Sequence, residues 1–433
     1  MEEDIRLHRD TGTKTSARIE QRLEAAIEKA SKRIKYDAAH DNEIIRALSV
    51  VEEFIKKKKR VCYGGTAMNA LLPDSKKFYD PEFDLPDYDF YTPDPDGDVE
   101  DLVSILNKEG FKDVYHKMGM HEGTRKILVN YVPVADISRI DPQTFAVVFR
   151  RSIVKGGMHY MDENILRMMM YLELSRPKGE VDRWPKVFDR LQLINSLFPI
   201  RGCTRSKVSQ PLVPIGIRTK IIDYIIEWKR ILCNGPIIAL YTQGIRKGKS
   251  VFHIGEGGPL VFTSPDPKVD ASTLKREIGD ISIQLFRHKA HGEIVPERIE
   301  LRKSGKTLCV IVEEIACHSY TPFPTSDAKQ IYVGSLEFLI TLYLSLSIFT
   351  TNADNILGKN ILCQVKEFIR LSKENSLSRT SQFEPFAIQC RGHQVGYASL
   401  LRAKVQRIQK EKNGTRSIKK SAPRLTKKTR ATK

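Results

Sequence analysis

The seven cysteines of this 433-residue chain (Cys62, Cys203, Cys233, Cys309, Cys317, Cys363 and Cys390) include no Cys-x-x-Cys pair and are odd in number. That scatter speaks against a disulfide framework and against a zinc site, and a reducing compartment fits it best. Histidines such as His116, His121 and His159 stand without metal-ligand spacing, so they are assigned no role. The opening Met-Glu-Glu-Asp lacks the basic-then-apolar profile of a secretory signal. Long apolar runs are equally scarce. The stretch that comes nearest to membrane length, Tyr332 to Thr350, contains Glu337 and three serines, which predicts a buried core helix and a soluble protein with no membrane partner. Acid is missing in one place. From Leu401 to Lys433, thirteen lysines and arginines meet a single acid, Glu411, so this segment holds +12 of the formal net charge of +18.

Against those absences stands one dense stretch, Val61 to Asp89. Val61, Cys62 and Tyr63 form a short apolar run suited to a buried strand, and Gly64-Gly65 breaks it before Thr66 and a helix-compatible segment, Ala67 to Leu72. Two glycines let the backbone approach a ligand closely, while Thr66 and the first amides of the helix are able to donate to phosphate oxygens. The turn predicts a triphosphate cradle. In Asp87-Tyr88-Asp89-Phe90-Tyr91 the alternation suits a strand, with both carboxylates on one face and Tyr88 and Phe90 on the other. Two acids so close repel one another unless a cation holds them. A third acid, Asp136, ends the apolar run that begins at Ile127. Three carboxylates are what a two-metal phosphoryl-transfer site needs, with divalent ions ~4 Å apart.

The order Gly-Gly-Thr, Asp-x-Asp, Asp resembles the polymerase-beta-like nucleotidyltransferase superfamily. Lys-Lys-Lys-Lys-Arg60 before the cradle, Pro-Asp-Tyr-Asp-Phe, Tyr171-Leu-Glu-Leu-Ser-Arg-Pro-Lys-Gly and Arg183-Trp184 narrow it. Together they look like the poly(A) polymerase catalytic subunit of large nucleocytoplasmic DNA viruses, most clearly from about Lys56 to Arg190. This resemblance implies template-independent transfer of AMP from ATP to an RNA 3′ hydroxyl, with pyrophosphate released and two Mg²⁺ or Mn²⁺ ions bound. Asp87, Asp89 and Asp136 would be catalytic and metal-binding. Gly64, Gly65 and Thr66 would hold the triphosphate, and Lys155, Arg167 and Tyr171 are candidates for contact with phosphate or base, each with a structural role as its alternative. A homodimer or a viral processivity subunit, and a place in host cytoplasmic virus factories or the virion, are implied in the same way. The motifs do not select the base: a uridylyltransferase or an oligoadenylate synthase shares them, and a noncatalytic RNA-binding subunit would share the fold.

The expected class is α+β, in two or three domains, because 433 residues exceed one ordinary core. The readings place an N-terminal helical region at 1–55, a catalytic nucleotidyltransferase domain at 56–200, a second, degenerate nucleotidyltransferase-like domain at 201–390 and a basic, largely disordered tail at 391–433. The second domain is inferred from a repeat. Tyr160 to Ser175 and Tyr332 to Ser347 align without gaps, sharing Tyr160/Tyr332, Tyr171/Tyr343, Leu172/Leu344, Leu174/Leu346 and Ser175/Ser347. In that alignment Gly257-Gly258 answers Gly64-Gly65, and Ala316 or Cys317 falls near the place of Asp136. The tail, poor in apolar residues from about Lys410, predicts electrostatic RNA binding. The run Lys56 to Arg60 reads equally as a phosphate attractant or as a solvated helix end.

Overall fold

A computed structural model describes residues 2–203, 211–292, 294–350, 356–357 and 360–421. The chain forms two compact units, one of residues 1–117, 125–138 and 154–160, the other of 118–124, 139–153 and 161–433. The mixed α+β class expected from the sequence is what is found.

The first unit opens with two helices, α1 (Glu2–Ala39) and α2 (Asn42–Lys58). Asp41 caps α2 by accepting from the Glu43 and Ile44 amides, and Ile44, Ala47, Leu48, Val51, Phe54 and Ile55 bury one stripe of it at helical spacing. Lys59 then takes a left-handed conformation (φ 53°) that stops the helix. The chain continues through β1 (Val61–Cys62), α3 (Gly64–Leu71), β2 (Asp89–Thr92), α4 (Pro95–Lys108), β3 (Val114–Met118), β4 (Thr124–Val129), β5 (Val132–Arg139), α5 (Pro142–Arg151), β6 (Ile153–Lys155) and β7 (Met158–Tyr160). The strands make one seven-stranded sheet, in the order β3-β4-β5-β2-β1-β7-β6. The basic run before β1 is a helix end with partners of its own. Lys56 pairs with Glu52 and Glu53, Lys58 with Asp101, and Arg60 grips buried Asp98 through two bonds of 2.7 and 2.8 Å.

Besides α5, the second unit contains α6 (Glu163–Leu174), α7 (Trp184–Leu197), α8 (Ile215–Glu227), β8 (Ile231–Leu232), α9 (Ile237–Lys247), β9 (Leu260–Ser264), α10 (Pro267–Ile278), β10 (Gln284–His288), β11 (Arg298–Lys303), β12 (Lys306–Glu313), β13 (His318–Pro324), β14 (Gln330–Gly334) and α11 (Leu336–Phe349). Its sheet runs β10-β11-β12-β9-β8-β14-β13, with β15 (Cys390–Arg391) added at the edge. Element by element, this is the order of the first sheet. In both, the short strand after the helix pairs antiparallel with the next strand (Cys62 opposite Phe90, Leu232 opposite Phe262) and parallel with the strand before the long helix (β1 with β7, β8 with β14). Helix α11 is buried almost throughout, as expected for a core helix. Among the described residues no helix is long and apolar enough to cross a membrane.

Four expectations change. First, Gly257-Gly258 does not answer Gly64-Gly65: the residues just after β8 are Cys233, Asn234 and Gly235, and the later glycines precede β9. Second, β9 and β12 pair in parallel with Val261 opposite Val310, so Val310, rather than Ala316 or Cys317, stands where Asp136 stands. The repeat was anchored on one helix, whereas a loop of different length shifts everything before it. Third, Cys203–Cys363 and Cys317–Cys390 form disulfides across 160 and 73 residues, while Cys62, Cys233 and Cys309 are buried and free. Spacing rules see local pairs and are blind to partners that only folding brings together. Fourth, a helix, Tyr397–Ser421, occupies much of the segment expected to be disordered, because it is free of proline and rich in Lys, Arg, Gln, Leu and Ala. The remainder of the tail, 422–433, lies outside the described residues.

Candidate active site

Strand β1 delivers Tyr63 in extended conformation, and its amide donates to the Asp89 carbonyl at 2.9 Å. Gly64 then turns the chain into α3 with φ +70°, and a Cβ there would lie 2.7 Å from Asp89 Oδ2. Glycine is required twice over, by the dihedral and by the closeness of the carboxylate. Gly65 follows in the first turn of the helix. Thr66 is placed differently from expectation: its hydroxyl donates to the Asp87 carbonyl (2.7 Å) and accepts from the Asp87 amide (3.2 Å). It braces the loop that carries the first acid.

Strand β2 begins at Asp89, two residues later than the alternation suggested, and Asp87 is in the turn before it. The two faces are nonetheless as read. Tyr88 and Phe90 are buried, with the Tyr88 hydroxyl donating to Glu52 at 2.8 Å, while Asp87 is exposed and Asp89 half-buried. On β5, the Asp136 amide donates to the Tyr88 carbonyl at 3.0 Å, which sets the third acid level with Asp-x-Asp on the neighbouring strand. The Asp136 carboxylate is held by the ammonium of Lys126, from β4. Beneath the acids Tyr63 stacks on Tyr91, with ring centroids 4.0 Å apart, and its hydroxyl bonds Ser138 at 2.9 Å. Burial, Tyr91 and Asp89 push the Tyr63 hydroxyl well above its ordinary value, so it stays protonated. Burial and Asp89 likewise push up the Cys62 thiol, which excludes it as a nucleophile.

The remaining candidates are placed as follows. Lys155 donates to the Ala70 carbonyl at 2.6 Å, a cation at the C-terminal end of α3. Arg167 is fully buried, and its guanidinium bonds Asn164, Asn195 (2.8 Å) and the Phe198 carbonyl. Tyr171 is buried beside it and accepts from the Asn195 amide at 3.0 Å. Their polar groups are bonded inside their own unit, which gives both residues the structural role that was the alternative to ligand contact. The sequence reading passed over Lys126, Tyr63 and Ser138. A lysine ten residues before an acid gives no local signal.

The donors at Asp87, Asp89 and Asp136 are all carboxylate oxygens, which suits Mg²⁺ or Mn²⁺ and not zinc or copper. A Cβ at Gly64 would crowd Asp89 Oδ2, so glycine there leaves that carboxylate its place, and the donor chemistry of the three acids fits such an ion. Among the described residues, no three acids, histidines or cysteines converge into a finished metal cage.

Residues 49–180 match the family model described as the poly(A) polymerase catalytic subunit. The matched segment is the one that carries the Gly-Gly-Thr, Asp-x-Asp and Asp136 motifs. A protein of African swine fever virus (strain Badajoz 1971 Vero-adapted), named as a poly(A) polymerase catalytic subunit, is 26% identical over 318 residues, which is 71% of this chain and 61% of that protein. One from Acanthamoeba polyphaga mimivirus, named in the same way, is 31% identical over 157 residues, 35% of this chain and 26% of that protein. The chain thus spans about three-fifths of the length of the swine fever virus relatives. The crystal structure of the Megavirus polyadenylate synthase superposes with a TM-score of 0.72 at 18% identity, covering 91% of this chain and 83% of that one. The fold is therefore shared across nearly the whole chain.

Proposed function

We propose that the chain is a polynucleotide adenylyltransferase, a poly(A) polymerase that extends RNA 3′ ends from ATP without a template. The observation that carries this reading is local. Asp136 stands level with Asp-x-Asp on the adjacent strand, beside a turn whose glycine admits no side chain against Asp89. The family match of this same segment supports the adenylate donor.

In this reading the first amides of α3 and the bare backbone of Gly64 and Gly65 receive the triphosphate. Thr66 keeps Asp87 in place, and the Tyr63–Ser138 bond fixes the end of β5 beneath the acids. Asp87 and Asp89 would hold both divalent ions, and Asp136 the one nearer the RNA 3′ hydroxyl. Bound there, the ions supply charge neutralisation and a more acidic hydroxyl. The 3′ oxygen forms its bond to the α-phosphorus as the α–β bridge breaks, the hydroxyl proton leaves to solvent, and pyrophosphate departs. What the protein contributes is position and preset charge. The helix Tyr397–Ser421 and the basic residues after it would hold the RNA by its phosphates, and a second copy or a viral subunit would lengthen the tract made per encounter.

Primer extension tests the reading. A labelled short RNA is incubated with Mg²⁺ or Mn²⁺ and each nucleoside triphosphate in turn, beside the Asp87→Asn, Asp89→Asn double variant. A long ladder with ATP alone, lost in the variant, is expected. Extension with UTP alone would make the chain a uridylyltransferase. No extension with any nucleotide would favour an RNA-binding subunit.

A further inference from the structure

We propose that Lys126 is a positioning residue for the carboxylate trio: its ammonium holds Asp136 when no divalent ion is bound and gives that carboxylate up when one arrives. The inference rests on the metal-site reading above. Three observations carry it. Lys126 reaches Asp136 from β4, with Lys126 about a third exposed and Asp136 more buried, at 36% and 16% side-chain exposure. The partly exposed lysine is therefore free to swing away, while the acid is anchored by its backbone bond to Tyr88. Next, three other cations of the same unit are committed elsewhere: Arg125 to Asp96, Lys155 to the Ala70 carbonyl and Arg60 to Asp98. The third observation comes from the second sheet. There Val310 occupies the place of Asp136, and the residue opposite Val310 on the neighbouring strand is Glu300. Where the acids are gone the lysine is gone too, replaced by the opposite charge, and Glu300 turns instead to Arg302 and Thr307. A lysine kept merely to strengthen the sheet would have no reason to follow the acids.

The physical logic is competition. Carboxylates gathered for a cation repel one another before it comes, and a lysine offers one unit charge at the cost of a flexible stem. A divalent ion brings two charges and several ligands, so it displaces the ammonium. The lysine thus lowers metal affinity while keeping the site assembled, and the freed ammonium is left beside the position of the incoming phosphates.

The test compares wild type, Lys126→Met, Lys126→Arg and the double variant Lys126→Met, Asp136→Asn, all as full chains. Mn²⁺ binding is followed by electron paramagnetic resonance without RNA or nucleotide, and thermal unfolding is followed in chelator and in saturating Mn²⁺. Lys126→Met should bind Mn²⁺ roughly three- to tenfold more tightly than wild type, by removal of one nearby charge. Its melting temperature should fall in chelator and recover in Mn²⁺, Lys126→Arg should stay near wild type in chelator, and the Asp136→Asn background should erase the effect of Lys126→Met. Unchanged or weaker Mn²⁺ binding in Lys126→Met, or an equal loss of melting temperature with and without Mn²⁺, would overturn the proposal and leave a plain structural ion pair. Absence of Mn²⁺ binding by wild type itself would instead sink the metal-site reading.

Discussion

The two sheets share an order and a scaffold and differ where chemistry is at stake. Each has a lysine in the left-handed conformation after its lead helix (Lys59, φ 53°; Lys229, φ 51°), followed by an arginine paired with a buried aspartate, Arg60 with Asp98 and Arg230 with Asp270. In each, that aspartate lies four residues after a capping one, Asp94 or Asp266, with proline between them at the helix start. At the cradle the likeness stops. Gly64 becomes Asn234, whose amide donates to the Pro259 carbonyl (2.9 Å) and whose oxygen accepts from the Val261 amide (2.8 Å). Val261 and Val310 replace Asp89 and Asp136 and are fully buried. The second sheet has closed its site with a side chain and packed it with valine. Burying apolar groups stabilises, whereas clustered carboxylates cost stability. The first sheet therefore keeps an arrangement that apolar packing does not explain, as the proposed site would require.

That contrast can be broken experimentally, and the largest effect should come from reversing it. Val261→Asp or Val310→Asp would bury an unpaired charge in a closed site and should cost about 3–5 kcal/mol in denaturant unfolding. Little change would mean that the second site is open after all. Next come the shared clamps. Arg60→Ala and Arg230→Ala each strand a buried aspartate and should cost about 3 kcal/mol apiece; a large difference between them would show that the two scaffolds are not equivalent. Gly64→Ala should cost less stability, on the order of 1 kcal/mol from the positive φ, yet abolish transfer, while Asn234→Gly should lower stability with transfer kept.

Smaller effects sharpen the same comparison. His318, buried in the second unit against Phe338 at 4.3 Å, has its pKa pushed down to about 3 by burial and then by Arg176. A base whose folded pKa lies below its unfolded value of about 6.5 favours folding fully above pH 6.5, and that contribution is lost as pH falls towards 3. Melting temperature should thus drop between pH 7 and pH 5, and His318→Phe should flatten that drop. Deleting Lys410 to Lys433 should weaken RNA binding and reduce its salt slope while single additions of AMP persist, measured by titration at several salt concentrations. Unchanged affinity at low salt would remove the tail from the account.

Much of the fold was legible in the chain. The burial of Tyr88 and Phe90 away from Asp87 and Asp89 follows from the alternation, and the Tyr160 and Tyr332 segments pointed to the repeated order of elements. A better anchor for the repeat was also present: Lys59-Arg60-Val61-Cys62 against Lys229-Arg230-Ile231-Leu232, and Asp94-Pro95-x-x-Asp98 against Asp266-Pro267-x-x-Asp270. Those pairs fix the true register, in which Asn234 faces the role of Gly64. What could not be read was whatever depends on distance in sequence. For Arg167 and Tyr171 the sequence left ligand contact and a structural role equally open, because their partners, the Phe198 carbonyl and Asn195, lie far along the chain. The Cys203–Cys363 and Cys317–Cys390 bonds, and the reach of Lys126 across to Asp136, are products of topology alone.

The most direct measurement is the single-turnover rate of adenylate transfer to a short RNA by Asp136→Asn, with ATP binding and melting temperature recorded alongside. A loss on the order of 10³-fold or more, with ATP still bound and the fold intact, is the predicted result. Transfer near the wild-type rate would contradict the assignment of Asp136, and with it the claim that the first sheet alone carries the chemistry.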